Sequence, residues 1–286
     1  MPNTAQRFDS RQSMKNKRFE VFHYRDTMLE NVSVHHHDFY EIYFFLSGKV
    51  RFRIEGRTYD LEPGDLLLIN PRELHQPEIE KTGLYERIVL WIDRNFLISL
   101  CTEDMNLADC FDTVSPEYAN LLRLPRNHRL ALGQMLERLN REYNGNQVGN
   151  TVYAQGLLMQ ILVELNRLAR QNTMLAPKME EQDLTSQVLL YIGNHFRENI
   201  TLESLASKFY VSKYHLSHEF SNRVGTSIYR YVIFRRLMHA RELMSEGKAP
   251  GEIYQSCGFG DYANFYRAFK AEYGISPREF AASEQA

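Results

Sequence analysis

LESLASKFYVSKYHLSHEFSNRVG, from Leu202 to Gly225, and GEIYQSCGFGDYANFYRAFKAEYG, from Gly251 to Gly274, are the two stretches that decide the fold. Each reads as a short apolar-periodic helix, a tight turn and a longer helix. Each long helix carries an aromatic residue five positions before a closing glycine, Phe220 with Gly225 and Phe269 with Gly274. Two helices joined in this way place the second where its side chains reach base edges in the major groove. In the first stretch Ser212 is a natural N-cap, and Leu216, Phe220 and Val224 recur every fourth residue, so they face inward. Tyr214, Ser217, His218 and Ser221 fall on the other face. In the second stretch Asp261 caps, Phe265 and Phe269 face inward, and Tyr262, Ala263, Asn264 and Arg267 lie outward. Arginine can grip guanine with two hydrogen bonds, asparagine can do the same with adenine, and an alanine or aromatic edge can meet a thymine methyl. An exposed polar residue on a helix is most often merely solvated; it is the doubling of the pattern that points to DNA.

Outward from this pair, a helix over about 227–246 joins the two units, with Tyr231, Val232, Leu237, Met238 and Leu243 as its expected core. Val188, Leu189, Ile192 and Phe196 open the region, and Ser276-Pro277 caps a last short helix. Residues 171–183, QNTMLAPKMEEQD, have no period and read as a linker. Upstream, about 127–171 holds two apolar helical stripes broken at Asn144-Gly145-Asn146. They are Leu132, Met135, Leu136, Leu139 and Tyr143, then Ala154, Leu157, Leu158, Ile161, Leu165 and Leu168. The pair is expected to cover a β domain, to dimerise, or to do both. From about Phe19 to Asp93 the period is that of strands. Val50, Phe52 and Ile54 alternate with Arg51 and Arg53 before a turn at Glu55-Gly56, and DLLLINP is a short apolar run, a pattern that suggests an antiparallel barrel or sandwich.

At 286 residues with 43% hydrophobic content the chain suits two globular domains. The reading is α+β: a tail or arm at 1–18, a β-barrel with a helix pair at 19–170, the linker at 171–183, and an all-α DNA-binding domain at 184–286. The N-terminus lacks the apolar core of a signal peptide, and no apolar run approaches a membrane span. Three scattered cysteines, Cys101, Cys110 and Cys257, fit neither a disulfide frame nor a zinc module and point to the cytoplasm. The net charge is −2, and from Leu184 onward Lys and Arg exceed Asp and Glu by only two. DNA affinity is therefore expected to depend on local geometry more than on bulk charge.

Residues 184–280 resemble the DNA-binding domain of the AraC/XylS family of bacterial transcription regulators, on SKYHLSHEF in the first unit and CGFGDYANFYRAFKAEYGISPREF in the second. The resemblance implies seven helices and two recognition helices that enter successive major-groove segments. By position it assigns base contacts to Tyr214, Ser217, His218, Tyr262, Ala263, Asn264 and Arg267, and places Ser212 and Lys213 nearer the phosphates. Two positions depart from the family pattern. Tyr254 stands where alanine is usual, and Tyr210 stands where glycine is common, a costly choice if the backbone needs a positive φ; the turn is expected to adapt.

The segment HHHDFYEIYFFLSG has the spacing of a first cupin motif at His35, His37, Glu41 and Gly48. Residues of one parity share one face of a strand, so His35, His37, Glu41 and Tyr43 could all point into a barrel. Pro63-Gly64-Asp65 supplies the turn of the second motif, but Leu67 stands where metal-binding cupins place a histidine. The nearest candidate is His75, beyond Pro71. About residues 20–95 thus resemble the cupin-like sensor domain of sugar-responsive AraC-type regulators. Three readings of the histidines stand: polar lining of a small-molecule pocket, a bound metal, and structural histidines. The expected effector-binding set is His35, His37, Glu41, Tyr43, Arg53 and His75, with no cofactor and no enzyme activity.

The leading expectation is a transcription regulator, an activator by resemblance, that forms a homodimer, binds double-stranded DNA, contacts RNA polymerase and responds to a sugar or related metabolite. The alternatives are a metal-dependent cupin enzyme with a DNA-binding tail, and a regulator controlled by a protein partner. No nucleophile motif, P-loop or dinucleotide fingerprint supports another enzyme class.

Overall fold

A computed structural model describes residues 13–27, 32, 34–55, 57–71, 73–80, 83–112, 119–170 and 184–284. The expected linker at 171–183, most of the expected arm, and Gly56 of the expected turn lie outside the described residues. The chain divides into two compact units, Met1–Glu180 and Glu181–Ala286.

The first unit is built on two antiparallel sheets. Its strands are β1 (Phe19–Asp26), β2 (Tyr40–Ser47), β3 (Val50–Ile54), β4 (Arg57–Asp60), β5 (Leu66–Ile69), β6 (His75–Ile79), β7 (Tyr85–Ile92) and β8 (Leu121–Leu122). One sheet has the order β1-β7-β2-β5-β8 and the other β4-β3-β6. After β7 come α1 (Arg94–Ser99), capped by the Asp93 carboxylate, and a 3-10 turn at Asp109–Phe111. Then follow α2 (Arg126–Tyr143) and α3 (Asn150–Arg170).

The central strands of the larger sheet, β2 and β5, are buried on both faces, which is why β2 is almost wholly apolar. Ile42, Phe44, Leu66, Leu68, Ile88, Leu90 and Ile92 pack against Leu132, Leu136, Leu139, Ala154, Leu158, Ile161 and Leu165 of the helix pair. The opposite parity, Tyr43, Phe45, Leu67, Ile69, Tyr85 and Val89, meets Val50, Phe52, Ile54 and Tyr59 of the smaller sheet. Each fully buried side chain of this size is worth about 1.5–3 kcal/mol relative to exposure, so both helical stripes are integral to the unit's core.

The second unit is helical, with α4 (Leu184–His195), α5 (Leu202–Lys208), α6 (Lys213–Val224), α7 (Ile228–Ser245), α8 (Pro250–Ile253), α9 (Tyr262–Tyr273) and α10 (Pro277–Glu284). Local chemistry sets the helix starts. Ser212 accepts from the His215 amide, Ser227 from Arg230 and Asp261 from Asn264. Ser276 and Glu279 exchange bonds as a capping box. The core of the last helices gathers Leu237, Ala240, Met244, Ile253, Cys257, Phe259, Phe265, Phe269 and Phe280. Within α7, Tyr231, Val232 and Leu237 are buried as expected. Met238 and Leu243 are only partly so, and Phe234, Ala240 and Met244 complete the stripe.

The turn at Tyr210 does not adapt: it keeps φ at 55°, the left-handed region. The Val211 amide donates to Ala206 and the Tyr210 amide to Ser207, so the helix ends in a Schellman motif despite the bulky residue. The second unit ends its first helix in the same way. Phe259 donates to Tyr254 and Gly258 to Gln255, with Gly258 at φ 91°. Tyr210 therefore occupies the place that Gly258 holds in the other unit, and the residue is 95% exposed. Tyr254, the other departure from the family pattern, is half-buried and meets the Tyr262 ring edge-on at 5.9 Å.

Candidate functional site

Two regions carry the candidate residues, one in each unit. In the helical unit the second helices, α6 and α9, present the expected outer faces. Tyr214, His218, Tyr262, Ala263, Asn264 and Arg267 are exposed, and Ser217 is half-buried between Leu216 and His218. The expected side chains do not all stand ready for DNA. Ser212 uses its hydroxyl on the His215 amide, 3.1 Å away. Lys213 Nζ is bound to Glu203 at 2.8 Å across an exposed surface, a pair that contributes little and that a phosphate can displace. Tyr214 stacks on His218, with ring centroids 5.9 Å apart.

In α9 the polar residues form a chain. Asn264 Nδ2 donates to Asp261 Oδ2 at 2.5 Å, and Arg267 Nη2 donates to Asn264 Oδ1 at 2.6 Å. Asp261 thus caps the helix and also orients Asn264, which in turn holds the Arg267 guanidinium. Sequence reasoning found each of these residues but not the coupling, which needs the helical i, i+3 geometry at both steps.

The second region lies where His35 and His75 meet in an isolated β-bridge, each amide donating to the other's carbonyl. His35, His37, Glu41 and His75 are buried together. The His35 and His75 rings are 4.3 Å apart between centroids and the His37 and His75 rings 4.8 Å. His37 Nε2 lies 3.0 Å from Glu41 Oε2, and Trp91 Nε1 donates to the same oxygen at 3.1 Å. Burial holds the His37 pKa down at about 3 and lowers that of His75 well below the usual value. The Glu41 carboxyl is pushed up by the same cause. At neutral pH both imidazoles are uncharged.

The strand-parity reasoning covers only part of this cluster. Glu41 and Tyr43 do lie on one face of β2, but His35 and His37 precede the strand, and a bend at Asp38-Phe39 returns the chain. Tyr43 sits deeper, hydrogen-bonded through its phenol to the Tyr85 phenol, and burial raises its pKa. Arg53 is not brought to this group. Phe52 and Ile54 turn inward from β3, so Arg53 faces outward and pairs with Glu78 at 2.7 Å. Leu67, opposite Tyr43 in register, fills the interior with hydrocarbon.

Sequence reasoning missed Trp91, Tyr85 and Arg87, which share one face of β7. The Arg87 guanidinium lies over the rings of Tyr85 and Tyr24, 4.1 and 4.6 Å from their centroids, and donates to Asp26 at 2.6 Å. The alternation Tyr85, Arg87, Val89, Trp91 was the available signal: a strand whose other parity is Ile88, Leu90 and Ile92 must turn the arginine and the tryptophan the other way.

The AraC-like ligand binding domain family matches residues 20–162, half of the chain, and a helix-turn-helix domain family matches residues 205–283. The HTH-type transcriptional activator RhaS of Escherichia fergusonii is 24% identical over 253 residues, 88% of each chain. RhaS of Salmonella typhimurium is 25% identical over 253 residues, also 88% of each. Among solved structures, unsaturated fatty acid-bound ToxT from Vibrio cholerae covers 94% of this chain and 97% of its own, at 15% identity and a TM-score of 0.40. No helix among the described residues is long and apolar enough to cross a membrane.

Proposed function

The chain belongs to the AraC family of transcription regulators, and from that premise we propose that it activates transcription as a homodimer when a small polar metabolite, such as a sugar, binds in its N-terminal unit. Two capped second helices in one compact unit carry the DNA-reading half of this reading. Each presents hydrogen-bonding, aromatic or methyl groups near its N-terminal end: exposed Tyr214 and His218 with half-buried Ser217 on α6, then exposed Tyr262, Ala263, Asn264 and Arg267 on α9. Ser212 and Lys213 sit at the start of α6, where amides and a cation favour phosphate. Weak bulk charge makes these contacts the main source of discrimination.

The sensing half is supported by the polar cluster of His35, His37, Glu41 and His75 and by Tyr43 beside it, a few converging polar groups in an otherwise apolar barrel. Imidazole and carboxylate groups suit hydroxyls. Val152, Tyr153 and Met159 of α3 stay exposed although its other face is core, which suits a second copy of the chain. Activation follows the named activity of the relatives, and contact with RNA polymerase is part of the proposal because an activator must act on the transcribing enzyme. The effector changes transcription only through a difference in its affinity for two arrangements of the protein.

Selection of sites from random DNA by the full-length protein, at about 150 mM salt with competitor, tests this reading. The expected result is a motif of two blocks about one helical turn apart, with metabolites then screened for a shift in its affinity. Recovery of no enriched motif, with or without candidate sugars, refutes it.

A further inference from the structure

We propose that His37, Glu41 and His75 form a binding site for one divalent first-row transition-metal ion. His37 Nδ1 lies 2.8 Å from the Phe39 carbonyl oxygen and His75 Nδ1 lies 3.0 Å from that of Glu73. A carbonyl only accepts, so each Nδ1 carries the proton, and the neutral rings turn bare Nε2 lone pairs into the cluster. A backbone carbonyl on the outer nitrogen is the arrangement that fixes a metal-ligating histidine and raises its basicity. His37 Nε2 then faces Glu41 Oε2 at 3.0 Å, two acceptors that need a cation between them. A proton on Glu41 can serve that contact. It leaves His75 Nε2, which is fully buried and has no hydrogen-bond partner, still unsatisfied. One metal ion satisfies all three.

The three ligand atoms lie within 4.8 Å of one another. Bonds of about 2.1 Å to a shared ion would draw them to about 3.4 Å, a change that rotation of the side chains can supply. Trp91 Nε1 already donates to Glu41 and orients it. Two imidazoles and a carboxylate select Zn²⁺, Fe²⁺, Co²⁺, Ni²⁺ or Mn²⁺ over Ca²⁺ or Mg²⁺. Because Leu67 supplies no fourth donor, the ion keeps positions for water or for an oxygen-bearing effector. The site shares with the functional reading only the premise that this end of the barrel is where the protein senses. A bound ion that no metabolite affects leaves the site standing and removes that premise.

The test is to strip the full-length protein with chelator and titrate it with Co²⁺, then Zn²⁺, following visible absorption and heat. The expected result is about one equivalent of Co²⁺ per chain, with d–d bands from nitrogen and oxygen ligands, displaced by Zn²⁺. His75→Ala and Glu41→Gln should each weaken binding at least about tenfold, with His75→Gln replacing His75→Ala if the alanine variant does not fold. His128→Ala, remote on α2, should change nothing. Absence of saturable uptake by the wild-type protein overturns the proposal, as does equal affinity in the His75 variants, which would locate the metal on other histidines.

Discussion

Gly258→Ala should selectively destabilise the second helix-turn-helix unit. A methyl at this position would lie 2.8 Å from both Cα and the carbonyl oxygen of Arg197 and 2.9 Å from Arg236 Nε. The first two are backbone atoms. The third is pinned as well, since Arg236 donates through Nε to Phe196 and through Nη2 to Glu198, each at 2.7 Å. The left-handed φ of 91° adds its own penalty, about 1–2 kcal/mol for a residue with a Cβ. With about 1–3 kcal/mol for overpacking, the total is about 2–5 kcal/mol. Hydrogen exchange of the full-length protein reads this locally: amides of α9 should exchange at least about thirtyfold faster, with the β-sheet amides unchanged. Exchange in α9 within about threefold of wild type would sink the reasoning. Tyr210→Gly supplies the opposite sign at the equivalent turn. There the ring is exposed and the same left-handed backbone carries a Cβ, so the change should stabilise the first unit by up to about 1 kcal/mol. A loss of stability would mean that Tyr210 makes contacts its exposure denies.

Arg267→Ala should weaken specific binding by about 1–3 kcal/mol and relax preference at one base position; equal loss on every sequence in a binding titration would make it a phosphate contact instead. Phe269→Ala removes a fully buried ring from the core shared by α7, α9 and α10 and should cost about 3–5 kcal/mol; an unchanged circular dichroism melt refutes the assignment. Acidification should destabilise the metal-free sensor unit. His37, held near pKa 3, and His75, also lowered, stay neutral when folded, whereas the unfolded chain takes up their protons near 6.5. The stability is present above that value and lost as pH falls, by about 1–2 kcal/mol per histidine between pH 7 and 5. Glu41 offsets part of this, since its raised pKa lets the folded state keep a proton that the unfolded state releases. A urea midpoint that stays constant or rises over this range contradicts the burial of the pair.

The helical unit was readable because its signals are local. A cap, a four-residue period and a closing glycine lie within one turn of the residues they govern, and Ser212, Leu216, Phe220 and Gly225 behave as their spacing says. The turn at Tyr210 marks the limit of that legibility: its neighbours demanded a left-handed residue, and the turn kept that conformation with a tyrosine in it. The barrel cluster was readable only in part because its geometry is not local. Spacing joins His37 to Glu41, but nothing in the spacing says that His75 returns across a β-bridge to His35, or that Trp91 sits opposite Glu41 in register. The same lack of register left Arg53 as a candidate, though its alternation with Phe52 and Ile54 already turned it outward. Leu67 leaves the second motif without its histidine, so spacing alone assigned no ligand from beyond the first motif. The fold supplies one from His75, and the protonated Nδ1 atoms of His37 and His75 leave two nitrogen lone pairs beside a carboxylate with no donor for the second of them. Titratable groups in such an arrangement are more informative than their spacing, because a buried acceptor without a donor costs about 1–3 kcal/mol, a cost that a cation at this site would remove.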